Sequence, residues 1–152
     1  MTTAIIRSSG LLPFTCEQAF DLAADIERYP EFLHGWVSAR IQGREPNVCC
    51  VDQVVGMGPL RLQFLSRAIL QRPVRIDVTS TQAPFRLFSL SWLIVAAPPQ
   101  GCRVSVSANI ELRSRVSQWM VNGILPTMMD EVIAAFEDRA HRLYSSAGTT
   151  AR

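Results

Sequence analysis

Near Ser114 the hydrophobic period of this chain switches from two residues to about 3.6, and that switch limits the folds open to it. Before it, extended segments are predicted at about Thr3–Leu12, 36–44, 46–55, 59–70, 73–82, 86–97 and 102–112. Turn-forming residues divide most of them: Glu45-Pro46, Gly56-Met57-Gly58-Pro59, Arg72-Pro73, Ala83-Pro84 and Pro98-Pro99-Gln100-Gly101. After it, Val116, Trp119, Met120, Gly123, Ile124, Met128, Val132, Ala135, Phe136, Ala140 and Leu143 form one broad apolar stripe that runs on to Ser145. Mostly antiparallel strands with one apolar side need a cover, and one long helix supplies it. The expected fold class is therefore α+β, a curved sheet wrapped around the C-terminal helix. No repeat or linker interrupts the chain, so residues 1–152 read as a single domain with 146–152 as a flexible tail.

One segment departs from the strand pattern. Thr15 to about Ile26 reads as an amphipathic helix that buries Phe20, Leu22, Ala23 and Ile26, with Thr15 and Gln18 placed to cap its first turn. It runs into DIERYPEFL, Asp25 to Leu33, where Pro30 disfavours a helical Tyr29 and presents Tyr29, Phe32 and Leu33 from a second short helical turn. Two short helices after the first strand would close one end of the sheet. Further on, Pro126 removes a helix donor and, with Gly123 one turn earlier, predicts a kink in the long helix with Trp119 and Met120 facing the sheet; the kink either wraps the helix around the sheet or leaves Ser117–Leu125 free to shift as a gate.

Alternation sorts the strand residues by face. On 59–70, Leu60, Leu62, Phe64, Ser66, Ala68 and Leu70 share one side, opposite Arg61, Gln63 and Arg67. Val74, Ile76, Val78 and Ser80 lie opposite Arg75, Asp77 and Thr79, and Leu90, Trp92 and Ile94 point inward. Val104, Val106, Ala108 and Ile110 oppose Arg103, Ser105, Ser107, Asn109, Glu111 and Arg113. These inner faces carry no Asp, Glu, His or Arg, whereas general acid–base catalysis needs a titratable group within hydrogen-bond reach of its substrate. The inward polar groups are the hydroxyls of Ser66 and Ser80, the Trp92 indole, and Asp52 if its strand faces inward. Such a set suits holding a head group, and no catalytic residue is assigned.

Composition removes other classes. All 15 basic residues are arginine, which excludes Schiff-base lysine chemistry and a Walker-type phosphate lysine. A net charge of +2 falls short of a dedicated nucleic-acid binder. Cys16, Cys49, Cys50 and Cys102 form no C-x-x-C pair and read as reduced thiols, so no metal site is expected. His141 reads as a solvated histidine, and His34 as a loop histidine at the expected cavity mouth, with a ligand contact as the alternative. The longest apolar run, Trp92 to Ala97, stops at Pro98-Pro99, and the N-terminal MTTAIIRSSG lacks a long apolar core. A soluble, cytoplasmic protein is expected. Hydrophobic residues at 48% against 18% charged leave apolar surface enough to line a cavity as well as a core.

Phe20-Asp21-Leu22 with DIERYPEFL, then FLSRA at Phe64–Ala68, APFRLFSLSW at Ala83–Trp92 and AAFEDRAHRLY at Ala134–Tyr144, resemble the START-like family of coenzyme Q-binding proteins. That family includes the bacterial ribosome-association toxin and is related to polyketide cyclases. The resemblance spans nearly the whole chain in order and implies the helix-grip fold with an apolar cavity between sheet and helix. It also implies that Arg139, in the family's F-x-x-R-A pattern, packs its stem on the sheet and pairs its head with a carboxylate. One departure is His34-Gly35-Trp36, where relatives place proline and tryptophan straight after the equivalent of Leu33.

The function so implied is binding a hydrophobic small molecule, a ubiquinone-like polyprenyl quinone, as a carrier or chaperone for respiration or quinone biosynthesis, with no cofactor required. Each buried isoprene unit is worth ~4 kcal/mol gross, so two or three reach micromolar affinity after association costs. The predicted ligand-binding residues are Tyr29, Phe32, Trp36, Leu62, Phe64, Ser66, Ile76, Val78, Leu90, Trp92, Val106, Trp119, Met120, Gly123 and Ile124. Met57, exposed at its turn beside the cavity, would touch a membrane transiently at the inner-membrane periphery. Two other readings stand: an aromatase/cyclase using Ser66, Arg67 and Trp92, and a ribosome-binding module using Arg61, Arg67, Arg75, Arg103, Arg113 and Arg115 on the outer face.

Overall fold

The computed structural model describes residues 4–82, 84–99 and 101–145; Thr3 and the expected tail at 146–152 lie outside the described residues. The first strand, β1 (Ala4–Leu12), leads into α1 (Cys16–Ala24), a single 3₁₀ turn at Ile26–Arg28, and α2 (Tyr29–Phe32). Six strands follow: β2 (Trp36–Glu45), β3 (Val48–Met57), β4 (Leu60–Gln71), β5 (Arg75–Ser80), β6 (Phe85–Ala96) and β7 (Cys102–Leu112). Helix α3 (Arg115–Ala140) then continues into a π turn at His141–Ser145.

All seven strands pair antiparallel in one sheet of order β1-β7-β6-β5-β4-β3-β2. Strands β2 to β7 follow as successive hairpins, each strand pairing with the next. The chain must therefore cross from the β1 edge to the β2 edge only once, and the α1–α2 segment makes that crossing. Its start is fixed as the sequence predicts: the Thr15 hydroxyl accepts from Gln18 N–H at 3.0 Å, and the Gln18 side chain accepts from Thr15 N–H at 3.0 Å. The break falls at Asp25, with φ −83° and ψ 65°, rather than at Tyr29. Tyr29 is itself helical at φ −52° and ψ −41°, and Pro30 sits in the first turn of α2, where its missing N–H has no helical acceptor to lose.

Helix α3 lies against β1 and β7. Its buried side is Gln118, Val121, Leu125, Met128, Met129, Val132, Ile133, Phe136 and Ala140, and it stays helical through the exposed Pro126. The C-terminal half of the predicted stripe is correct at Met128, Val132, Phe136 and Ala140. Its N-terminal half is not: Val116 is 71% and Trp119 78% exposed, and Leu143 at the far end is also exposed. The cause is Gln118, whose amide oxygen accepts from Leu112 N–H and whose amide nitrogen donates to the Ile110 carbonyl at 3.1 Å. These bonds to the end of β7 turn the helix by about one residue, or 100°, from the register that apolar spacing favours.

On the strands the predicted inner faces are buried almost throughout. Val74 is the exception, because β5 starts only at Arg75 and leaves it 48% exposed. The helix-grip architecture of the α+β class is thus present, with Leu62, Phe64, Ala68, Ile76, Val78, Leu90, Trp92, Val106 and Phe136 in one core.

Candidate functional site

The space between sheet and α3 is filled with aromatic rings. Phe64 meets Phe85 and Phe88 with centroids 4.7 Å apart in each case, Trp92 lies 4.8 Å from Phe136, and Tyr29 meets Trp36 at 5.6 Å and Phe32 at 6.1 Å. Of the predicted residues, Leu62, Phe64, Ser66, Ile76, Val78, Leu90, Trp92 and Val106 all face this interior, joined at one end by Tyr29 and Trp36, with Phe32 half-buried beside them. Phe85, Phe88 and Phe136 were not among the predicted residues, although Phe88 continues the Leu90-Trp92-Ile94 alternation and Phe136 lies on the predicted stripe.

Polar groups within the core are few and mostly joined. Trp36 Nε1 donates to Gln53 Oε1 at 2.9 Å, Gln53 Nε2 donates to Ser66 Oγ at 2.6 Å, and Ser66 Oγ donates to the Val51 carbonyl at 3.1 Å. Gln53, only 2% exposed, is the inward polar residue that sequence reading missed. Asp52, its neighbour, faces outward, as the strict alternation of Cys49, Val51, Val55 and Met57 on the buried side requires. Ser80 donates to the Leu65 carbonyl at 2.7 Å. Tyr29 donates its hydroxyl to the Ala23 carbonyl, and burial holds the phenol far above the ordinary tyrosine range, an effect the neighbouring Trp92 side chain partly opposes. Burial likewise pushes the Cys102 thiol up to about 11, with Cys16 adding to the rise.

The Trp92 donor is poorly answered. Trp92 Nε1 is buried and makes no hydrogen bond of ordinary geometry; the group that approaches it is the Tyr29 hydroxyl, whose ring lies 6.3 Å away. An unpaired N–H in a low-dielectric core costs about 1–3 kcal/mol, which makes it an invitation to a carbonyl or ether oxygen.

The end of the grip near α2 is closed by α3 side chains resting on glycines. Met128 occupies the space a Cβ on Gly35 would need, and Ile124 Cδ1 lies 2.8 Å from the Cβ position of Gly58, whose φ of +57° also favours glycine. The two loops are held together by Gly56 N–H donating to the Gly35 carbonyl at 2.8 Å. Gly35 lies in the His34-Gly35-Trp36 stretch where a departure from the family pattern is expected, and the contact with Met128 leaves a larger side chain no room there. Met57, expected at an exposed tip, is 2% exposed and points into the core.

The remaining predicted residues lie elsewhere. Trp119, Met120, Gly123 and Ile124 come together in a shallow apolar groove along α3; Trp119 and Met120 are not on its buried side as expected, and Ile124 reaches the sheet at Gly58. Arg139 pairs with a carboxylate as expected, Nη2 donating to Glu31 Oε1 at 2.8 Å, and its guanidinium lies over the Phe32 ring of α2, with the guanidinium carbon 5.1 Å from the centroid. His34 and His141 are exposed, with His141 meeting the Phe14 ring at 5.1 Å. The outward arginines do not form one patch: Arg103 and Arg113 stand at opposite ends of β7, about 33 Å apart along an extended strand. Among the described residues no cluster of His, Cys, Asp and Glu is arranged to hold a metal ion, and no helix is long and apolar enough to cross a membrane.

Comparison with known proteins agrees with this architecture. A ribosome association toxin, RatA, of Pseudomonas aeruginosa is 25% identical over 139 residues, covering 91% of this chain and 96% of its own. RatA of Vibrio cholerae is 26% identical over 141 residues, with the same coverage of both chains. Among solved structures, the aromatase/cyclase Zhui from a Streptomyces species superposes with a TM-score of 0.83 at 12% identity, over 95% of this chain and 98% of that one. A START superfamily protein from Mycobacterium smegmatis gives 0.77 at 18%, over 91% and 98%. These structures share the curved sheet and long helix. The family model described as polyketide cyclase / dehydrase and lipid transport matches residues 12–137, and the chain belongs to that family.

Proposed function

We propose that this protein binds a hydrophobic small molecule, a polyprenyl quinone of the ubiquinone type, between the sheet and α3, and carries it without reacting with it. The observation that carries this reading is the Trp92 N–H, buried in an aromatic core, approached only by the Tyr29 hydroxyl and satisfied by no hydrogen bond of ordinary geometry. A quinone ring complements it: flat, apolar on both faces, and edged with carbonyl oxygens that accept but do not donate. The inner faces of β4 to β7 offer no Asp, Glu, His or Arg, and the Tyr29 proton is committed to the Ala23 carbonyl, so no general acid or base waits beside the ring. Since the core is closed, the ligand must displace side chains. Met128 and Ile124 at the glycine contacts are the ones best able to move, methionine being the most adaptable of apolar residues.

Titration with a short-chain ubiquinone analogue tests the reading. Trp92→Phe keeps most of the ring volume and removes the orphan donor, so it should leave the thermal midpoint near that of the parent while weakening binding roughly fivefold, about 1 kcal/mol. Unchanged affinity in a folded Trp92→Phe variant would remove the head-group role.

A second reading comes from the relatives, which match along nearly all of both chains and are named for ribosome association. In it the outer face, with Arg61, Arg67, Arg75 and Arg103, meets a partner, and the interior serves stability alone. The aromatase/cyclase reading gains nothing from the geometry. Arg67 is exposed on the outer face while Ser66 and Trp92 face the core, so the three do not converge on one space.

A further inference from the structure

The N-terminal half of α3 is apolar on two sides; one packs on the sheet, and the other is covered at Ile124, which rests on Gly58, while Val116 and Trp119 stand exposed. Its inward side is Gln118, Val121 and Leu125; its outward side carries Val116, Trp119, Met120, Gly123 and Ile124, the i, i+3, i+4, i+7, i+8 spacing of an amphipathic stripe. Val116 and Trp119 are the most exposed large apolar side chains of the described residues, at 71% and 78%. Beside Trp119 runs a cleft lined by Arg86, Arg113 and Arg115, with Glu111 its one carboxylate. The first turn of α3 contains no acidic residue, so the partial positive charge of the helix start adds to that of the arginines.

We infer that this end of α3 docks on an anionic phospholipid bilayer, with Val116 and Trp119 entering the interfacial layer and Arg113 and Arg115 meeting the headgroups. Tryptophan favours that layer because it combines a large apolar ring with an N–H that stays wet. A ridge of apolar side chains flanked by cations is the surface pattern of helices that lie in the plane of a membrane. Charge complementarity selects the occupant. A second copy placed by two-fold symmetry would bring arginines against arginines, and a buried protein interface would strip water from them. A single-stranded nucleic acid would find in Trp119 one stacking ring, with Val116 beside it offering none.

The stripe is also continuous with the closed end of the grip, since Ile124 belongs to it and rests on Gly58. A bilayer held there would lie beside the two glycine contacts. The purpose of docking, loading or releasing a hydrophobic ligand, rests on the proposed function; the docking itself does not.

The experiment uses the full chain with vesicles of phosphatidylcholine alone and of equal parts phosphatidylglycerol and phosphatidylcholine, with no quinone present. Trp36 and Trp92 are 5% and 0% exposed, so a change of tryptophan emission on adding vesicles reports Trp119. The expected result is a blue shift and cosedimentation with the anionic vesicles that weaken as salt rises. Each arginine near such a surface is worth about fivefold in partitioning. Arg113→Glu with Arg115→Glu should therefore weaken binding by more than tenfold, and Trp119→Glu should abolish the shift, both with an unchanged circular dichroism spectrum. Absence of vesicle binding would overturn the inference. So would binding that survives both variants, equal binding to the neutral vesicles, or self-association lost in Trp119→Glu without vesicle binding, which would assign the stripe to a second copy. Because no quinone is present, failure here leaves the Trp92→Phe titration unaffected, and failure of that titration leaves this one standing.

Discussion

A few single positions decide how this molecule is closed. Gly35 and Gly58 hold no side chain because α3 occupies the space: Met128 over the first and Ile124 over the second. Gly35→Ala should force Met128 to swing aside and cost about 1–2 kcal/mol in urea unfolding. Because the obstacle is the mobile end of a methionine, combining it with Met128→Ala should produce less than the sum of the two single losses; strict additivity would mean that the contact plays no part. Trp92 is the reverse case, a residue whose ring is satisfied by Phe136 while its N–H is not. Sequence reading identified Trp92 as inward from the alternation of β6, and placed Tyr29 and Phe32 on the short helical turn of DIERYPEFL. Gln53 and Gln118 stayed hidden, because a glutamine at an inward position looks like a solvated one until its partners are known, and those partners lie 13 to 17 residues away for Gln53 and on backbone atoms for Gln118.

At the scale of elements, strands were easier to read than the long helix. A strand has two sides, and burying one leaves an alternation that a single polar residue does not disturb, so β4, β6 and β7 follow prediction closely. The start of α3 offers two apolar stripes to the same sheet, and spacing alone cannot choose between them. The choice falls to Gln118, whose side chain satisfies Leu112 N–H and the Ile110 carbonyl where β7 ends and its ladder runs out. Two substitutions one residue apart should therefore behave in opposite ways. Gln118→Ala leaves those buried backbone groups without partners and should cost about 1–3 kcal/mol in chemical unfolding. Trp119→Ala, despite removing the larger side chain, should stay within about 0.5 kcal/mol. If the ranking came out reversed, the register of α3 described above would be wrong. The α2 turn follows the same logic on a smaller scale. Pro30 does mark it, but the chain breaks at Asp25, and Tyr29 enters the helix because proline is tolerated in a first turn.

As a whole, the molecule is a seven-stranded sheet closed over one helix, with the Asp, Glu, His and Arg side chains of the described residues outside the core and, in the aromatic interior, the poorly answered Trp92 donor. Under the proposed function that arrangement holds a molecule without transforming it, with the site of closure beside Gly35 and Gly58. The outer face differs in kind: Arg103 and Arg75 stand towards one end of the sheet, Arg86, Arg113 and Arg115 at the other, with serines 89, 91, 105 and 107 between them. The fold class was legible because the change of period at Ser114 is a property of long segments. The closed state of the interior was not, because it depends on how side chains from five elements meet. The central claim, that the interior is a binding site for a quinone-like molecule, is tested most directly by native mass spectrometry of freshly purified protein, with organic extraction and identification of whatever is released. The account predicts a co-purifying polyprenyl quinone in stoichiometric excess over that from a folded Trp92→Phe control. A protein that is consistently empty, and that sediments with ribosomes in a salt-sensitive manner, would contradict it.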